Sequence, residues 1–108
     1  MNYKVINHNE WLSDSHDDGT SLKGFVLTTK RHLYDLFGQP TYYDLDDKVN
    51  LCWVILFDNN KVATIYDWKR SIPESDELYK WHIGGHSDEV VAAVLNLISN
   101  TSNIVEGT

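Results

Sequence analysis

The chain has 108 residues, enough for one domain with a core of its own and too few for a second. Lys and Arg total 9 against 16 Asp and Glu, and the resulting net charge of −7 repels phosphate backbones and argues against ordinary DNA or RNA binding. A single cysteine, Cys52, excludes an internal disulfide, no CxxC or CxxH pair offers a zinc site, and no run approaches the roughly 20 apolar residues that span a bilayer.

The start, Met1-Asn2-Tyr3-Lys4, lacks the apolar stretch of a signal peptide, so a cytoplasmic location is expected. Residues 3–6 suit a short strand and residues 10–12 a helical turn. The polar, Gly-containing stretch SDSHDDGT, residues 13–20, reads as a loop. Residues 24–27 then form a short strand or the lead-in to a helix. Thr28 or Thr29 can cap that helix with its hydroxyl, and Leu33, Leu36 and Phe37 share one face. Gly38 is placed to end it in a left-handed conformation, and Pro40 blocks any continuation.

Residues 49–57 are the strongest strand, apolar on both faces and therefore central. Asp58, Asn59 and Asn60 supply turn chemistry, and residues 61–68 return as the hairpin partner. Tyr79, Trp81 and Ile83 alternate with Lys80 and His82 in a further strand that stops at Gly84-Gly85. Ser87 can cap the last helix, whose Val91, Val94, Leu95 and Ile98 form an apolar stripe. Residues 101–108 read as a frayed tail. The expected fold is α+β: a single domain, its core at about residues 19–98, with a three- to four-stranded antiparallel meander and helices packed on one face.

Acidic residues cluster at Asp14, Asp17 and Asp18, at Asp44, Asp46 and Asp47, and at Glu74, Asp76 and Glu77, all in stretches that read as loops. They serve solubility, or a decoy surface that mimics nucleic acid or docks on a basic host protein. A P-loop, GxGxxG, GxSxG, HExxH and an EF-hand loop are absent from the sequence. His82 and His86 are four apart, but Gly84 and Gly85 intervene and helical spacing does not apply, so neither metal nor cofactor is expected. His16 and His32 read as solvated. Cys52, mid-strand in an apolar run, reads as a small hydrophobe without the cationic setting of a reactive thiolate.

One constellation of residues is polar and aromatic together. Thr64, Tyr66 and Trp68 project from one face of a strand, Asp67 and Lys69 flank them, and His82 lies on the neighbouring strand. Gly84-Gly85 leads to Ser87 and a helix start whose free amides can hold an anion. Thr20, Ser21 and Gly24 add hydroxyl and backbone donors. Stacking a base on such an aromatic is worth roughly 1–3 kcal/mol. Against this stands the plain possibility that the tryptophans are core and the glycines end a strand; for Trp53 the core is expected, and for Trp68, Trp81 and His82 both readings stand.

The strings TSLKG (residues 20–24), LFGQP (36–40), WVILF (53–57), ATIYDWK (63–69) and WHIGG (81–85), in this order, resemble a family of small single-domain proteins encoded by tailed phages and prophages. The resemblance covers residues 19–98. The chain departs from the family's pattern at Asn59-Asn60, where an Asp-Gly or Asn-Gly turn is expected, and in a short connection between ATIYDWK and WHIGG. The resemblance implies a viral accessory protein acting in the bacterial cytoplasm, where such proteins inhibit host factors or sequester defence signals.

Together these features favour a non-catalytic binding protein that sequesters a nucleotide-like signal, as a homo-oligomer whose subunits share pockets. Its site would use Thr20, Ser21, Tyr66, Trp68, Lys69, His82 and Gly84. The alternative is a protein–protein inhibitor acting through acidic loops or exposed aromatics. A third reading is a small enzyme in which His82 and Asp67 form an acid–base pair.

Overall fold

Residues 2–14, 16–46 and 48–106 are described by a computed structural model. In chain order the elements are β1 (Tyr3–Val5), α1 (His8–Ser13), β2 (Ser21–Thr28), α2 (Lys30–Phe37), β3 (Tyr42–Asp46), β4 (Val49–Phe57), β5 (Val62–Tyr66), β6 (Tyr79–Gly85) and α3 (Glu89–Glu106). The fold is α+β with one antiparallel sheet. Strands β4, β5 and β6 make the expected meander, but the sheet has six strands, in the order β1-β4-β5-β6-β2 with β3 also on β4. It grows because both edges of the meander are occupied. Residues of β2 pair with β6 along its whole length, and β1 and β3 share the other side of β4.

Strand β3 replaces what reads in sequence as an acidic loop, so Asp44 and Asp46 lie in a strand; Asp47 lies outside the described residues. Aspartate is depleted in strands, and composition hides this one. What joins β3 to β1 is Thr41, which is buried where the two short strands meet beside β4. Its hydroxyl donates to the Ile6 carbonyl at 2.6 Å and accepts the Val54 N–H at 2.8 Å. Two backbone groups of the buried interior depend on this one oxygen. A Thr41→Val change, similar in volume, should lower stability by about 2–3 kcal/mol in urea denaturation, because each orphaned buried group costs about 1–3 kcal/mol. Thr41→Ser should retain most of it. A loss for valine below about 0.5 kcal/mol would mean that both groups find other partners.

Alternation along the strands sorts side chains onto two faces. One carries the main core: Leu51, Trp53, Ile55, Ile65, Trp81 and Ile83 pack with Leu33 and Phe37 of α2 and Val90, Val94 and Ile98 of α3. On the other face, Ile6, Cys52, Val54 and Val62 form a smaller cluster joined by Trp11 of α1 and by Tyr42. Helix α1 starts two residues earlier than the sequence suggests because Asn7 and Glu10 form a reciprocal capping box. Helix α2 is capped by the Thr29 hydroxyl, which accepts the His32 N–H. It ends at Gly38, whose φ of 78° and ψ of −147° suit only glycine. That turn aims the Gly38 carbonyl at the Trp53 indole N–H, 2.9 Å away.

Helix α3 differs from expectation in three ways. It starts at Glu89, so Ser87 lies two residues before it, and the Ser87 hydroxyl has no hydrogen-bond partner among the described residues. Val90 takes a buried place and Leu95 is exposed. The helix also runs on to Glu106, through residues that read as a frayed tail. Among the described residues no helix is long and apolar enough to cross a membrane.

Candidate functional site

Tyr66 of β5 lies opposite His82 of β6, and His82 lies opposite Phe25 of β2. Adjacent pairings set Thr64 beside Gly84 and Leu27 beside Lys80. These residues share the face opposite the main core, and Phe25 and Leu27 are exposed there. Their rings form a row. Phe25 and His82 meet at 4.9 Å between centroids, His82 and Tyr66 at 5.4 Å, and His82 and Trp68 at 6.0 Å.

At one end of the row a cavity of about 170 Å³ opens between the sheet and the loop before β2. It is lined by Asp17, Thr20, Ser21, Tyr42, Val49, Cys52, Thr64, Tyr66, Trp68 and Gly84. Five of the residues singled out from sequence, Thr20, Ser21, Tyr66, Trp68 and Gly84, therefore share one cavity. The other two stand at its rim: the Lys69 ammonium lies 5.7 Å from the centroid of the Trp68 ring, and His82 packs on Tyr66 and Trp68. Lys69 has a positive φ of 53°, costly for a side-chain-bearing residue, and its N–H donates to the Lys48 carbonyl at 2.7 Å.

The glycines and tryptophans of the two motifs divide between packing and site. A Cβ on Gly84 would stand 2.5 Å from the Thr64 hydroxyl, so the cavity floor requires glycine. On Gly85 it would stand 2.5 Å from Val90, so that glycine lets α3 close on the sheet. Both lie in β6, which ends at Gly85 as the sequence suggests. Gly24 faces Val91 of α3 and is a packing residue, not a donor to the cavity. Trp53 and Trp81 are fully buried core, and the Trp81 indole donates to the Thr28 carbonyl. Trp68 is 38% exposed. The start of α3, offered by the sequence as an anion seat, contributes no residue to the cavity.

Several neighbours escaped the sequence reading. Asp17 reads as a solvated loop acid, yet its two oxygens accept from the Trp11 indole at 2.8 Å and the Tyr42 hydroxyl at 3.1 Å. This pins the loop that walls the cavity. Lys48 stands 5.8 Å from the Trp68 ring centroid and Lys80 4.9 Å from that of Phe25. Among the described residues four cationic side chains pair with carboxylates: Lys4 with Glu10, Arg31 with Asp76, Lys61 with Glu89 and Arg70 with Glu77. Three others lie over the ring row, and for Lys69 and Lys80 no carboxylate comes within 4.0 Å among the described residues. An acidic protein thus collects cations on one aromatic face. No signal in the sequence marks this, since Lys48 and Lys80 reach the row from β4's approach and β6.

Asp67 does not face this row. It is fully buried, and its carboxylate accepts the N–H groups of Asn50 (2.8 Å) and Leu51 (3.0 Å) and the Asn50 side-chain amide (2.8 Å). Both oxygens are thereby engaged in bracing the start of β4, and no hydrogen bond joins Asp67 to His82. Burial pushes the Cys52 thiol far above its ordinary range, which leaves it protonated and a poor nucleophile. His86 lies beside Gly19 and does not line the cavity. No group of three or more His, Cys, Asp or Glu side chains converges among the described residues.

Burial also pulls the His82 pKa down, outweighing the opposing pull of Asp67, and its Nδ1 has no hydrogen-bond partner among the described residues. A histidine whose folded pKa lies below its unfolded value of about 6.5 takes up protons more readily when unfolded. Its contribution is present above that value and lost as pH falls toward the folded pKa. Urea midpoints should therefore fall between about pH 7 and pH 5.5, and less steeply for His82→Gln. Equal slopes in both proteins would assign the loss to other groups.

No family model, no curated protein and no solved structure matches the chain. The chemistry therefore has to come from the geometry. A second, larger cleft of about 600 Å³, lined by Val5, Ile6, Asn7, His8, Phe37, Gln39, Pro40 and Tyr43, offers little of it. Its one imidazole, His8, is engaged through Nδ1 with the Thr41 carbonyl at 3.1 Å. The smaller cavity brings hydroxyls, neighbouring rings and a cation together.

Proposed function

We propose that this protein is a non-catalytic binding protein for a nucleotide-like small molecule. The observation that carries this reading is the cavity itself: Tyr66 and Trp68 over a glycine floor, hydroxyls of Thr20, Ser21 and Thr64 around it, and Lys69 across the Trp68 ring. A planar base stacks on the rings, its polar edge meets the hydroxyls and Asp17, and its phosphate lies toward Lys69. At about 170 Å³ the cavity is smaller than the roughly 300–1,000 Å³ of most small-molecule sites. It takes the base and leaves sugar and phosphate on the open face, where a second subunit can cover them. Sequestration of a signal, in the manner of phage counter-defence proteins, needs no more chemistry than this.

Calorimetry with AMP and ribose 5-phosphate tests the reading. AMP should bind and ribose 5-phosphate, which lacks the base, should not. No heat from either, together with ligand-free protein in native mass spectrometry after gentle purification, would overturn it. The same spectra give the subunit number.

A protein–protein inhibitor is the second reading, favoured by Leu22 and Leu27, which edge strand β2 leaves exposed. A host protein captured by the wild type and lost with Leu27→Asp would support it.

A further inference from the structure

The ring row is longer than one base needs. The cavity accounts for Tyr66 and Trp68, yet the row continues over His82 to Phe25, which is 41% exposed and has Lys80 over its ring at 4.9 Å. Each end of the row therefore repeats one arrangement, an exposed aromatic with an ammonium against it. Phe25 stands on β2 and Trp68 follows β5, with β6 between them, so the ends are two strand spacings apart, about 10 Å. A single base seated in the cavity does not also stack on Phe25. A solvated aromatic beside a lysine gains nothing for folding by its exposure, while base stacking is the contact such a ring makes best.

We infer that the site takes a ligand with two nucleobases joined through phosphate, one base in the cavity against Tyr66 and Trp68 and the second on Phe25. Lys69 and Lys80 supply positive charge beside the two rings. The inference rests on the nucleotide reading above and names its ligand class. Two bases are also the limit, because the net charge of −7 repels a longer strand.

The test compares AMP, the linear dinucleotide pApA and a twelve-residue oligoadenylate by calorimetry, on wild type and on the Phe25→Ala and Lys80→Ala variants, with folding checked by circular dichroism. The wild type should prefer pApA to AMP by about tenfold, the worth of one added base stack. In both variants that preference should shrink to about threefold or less. The twelve-mer should bind no tighter than pApA. Equal affinity for AMP and pApA, or a preference that persists in both variants, overturns the two-base site while leaving the nucleotide reading in place. Binding of neither AMP nor pApA overturns both. A twelve-mer that binds far tighter than pApA overturns the two-base limit and assigns the face to single strands.

Discussion

Trp68→Ala should weaken AMP binding by about tenfold to a hundredfold, from the loss of roughly 1–3 kcal/mol of base stacking. The change reaches further than one ring. The Lys69 and Lys48 ammonium groups both lie over that indole, and the variant removes this contact from each. Stability should move little, by under about 1 kcal/mol, because the ring is partly exposed and sits outside both buried clusters. Calorimetry with AMP and a urea titration on the same preparation separate the two effects. Full affinity retained by the variant would remove Trp68 from the site. Affinity and stability lost together would make Trp68 a packing residue. Trp68→Phe, which keeps a stacking face, should recover a good part of the binding.

The opposite pattern is expected one residue earlier. Asp67→Ala should cost about 3–5 kcal/mol of stability, since it strips three acceptor contacts from a buried carboxylate and strands the amides of Asn50 and Leu51. A domain of this size has only about 5–10 kcal/mol in total, so the variant should be largely unfolded near body temperature. Asp67→Asn should be milder, because it keeps one acceptor oxygen for the two backbone amides but turns an NH₂ toward the Asn50 side chain. Guanidinium or urea midpoints for the three proteins give the order directly. An Asp67→Ala protein as stable as wild type that had lost nucleotide binding would move this residue from the fold into the site. Side by side, Trp68 and Asp67 test whether the ATIYDWK segment alternates between recognition and architecture as its geometry indicates.

That alternation was partly legible. Period-two patterning placed Thr64, Tyr66 and Trp68 on one face with His82 on the next strand, and five of the seven residues named from sequence line one cavity. Patterning works here because side-chain direction in a strand is a local property, set by the backbone alone. What it cannot give is the neighbour across a ladder. Phe25 and Lys80 join the row only because β2 pairs with β6, and Asp17 joins the wall only because Trp11 and Tyr42 hold it.

The doubly apolar segment 49–57 by itself determined a central strand, and the meander and the capped helix α2 followed from local turn and cap chemistry. The acidic balance by itself argues against long phosphate chains as ligands. Tertiary structure alone decided that β3 exists, because Thr41 and the edge of β4 supply hydrogen bonds that outweigh its unfavourable composition. It alone decided which glycine of WHIGG floors a cavity and which admits a helix, a matter of what stands within 3 Å of a missing Cβ. It also gathered three lysines of a net-negative chain over one row of rings. Composition records how many charges a chain has, and only the fold decides where they meet.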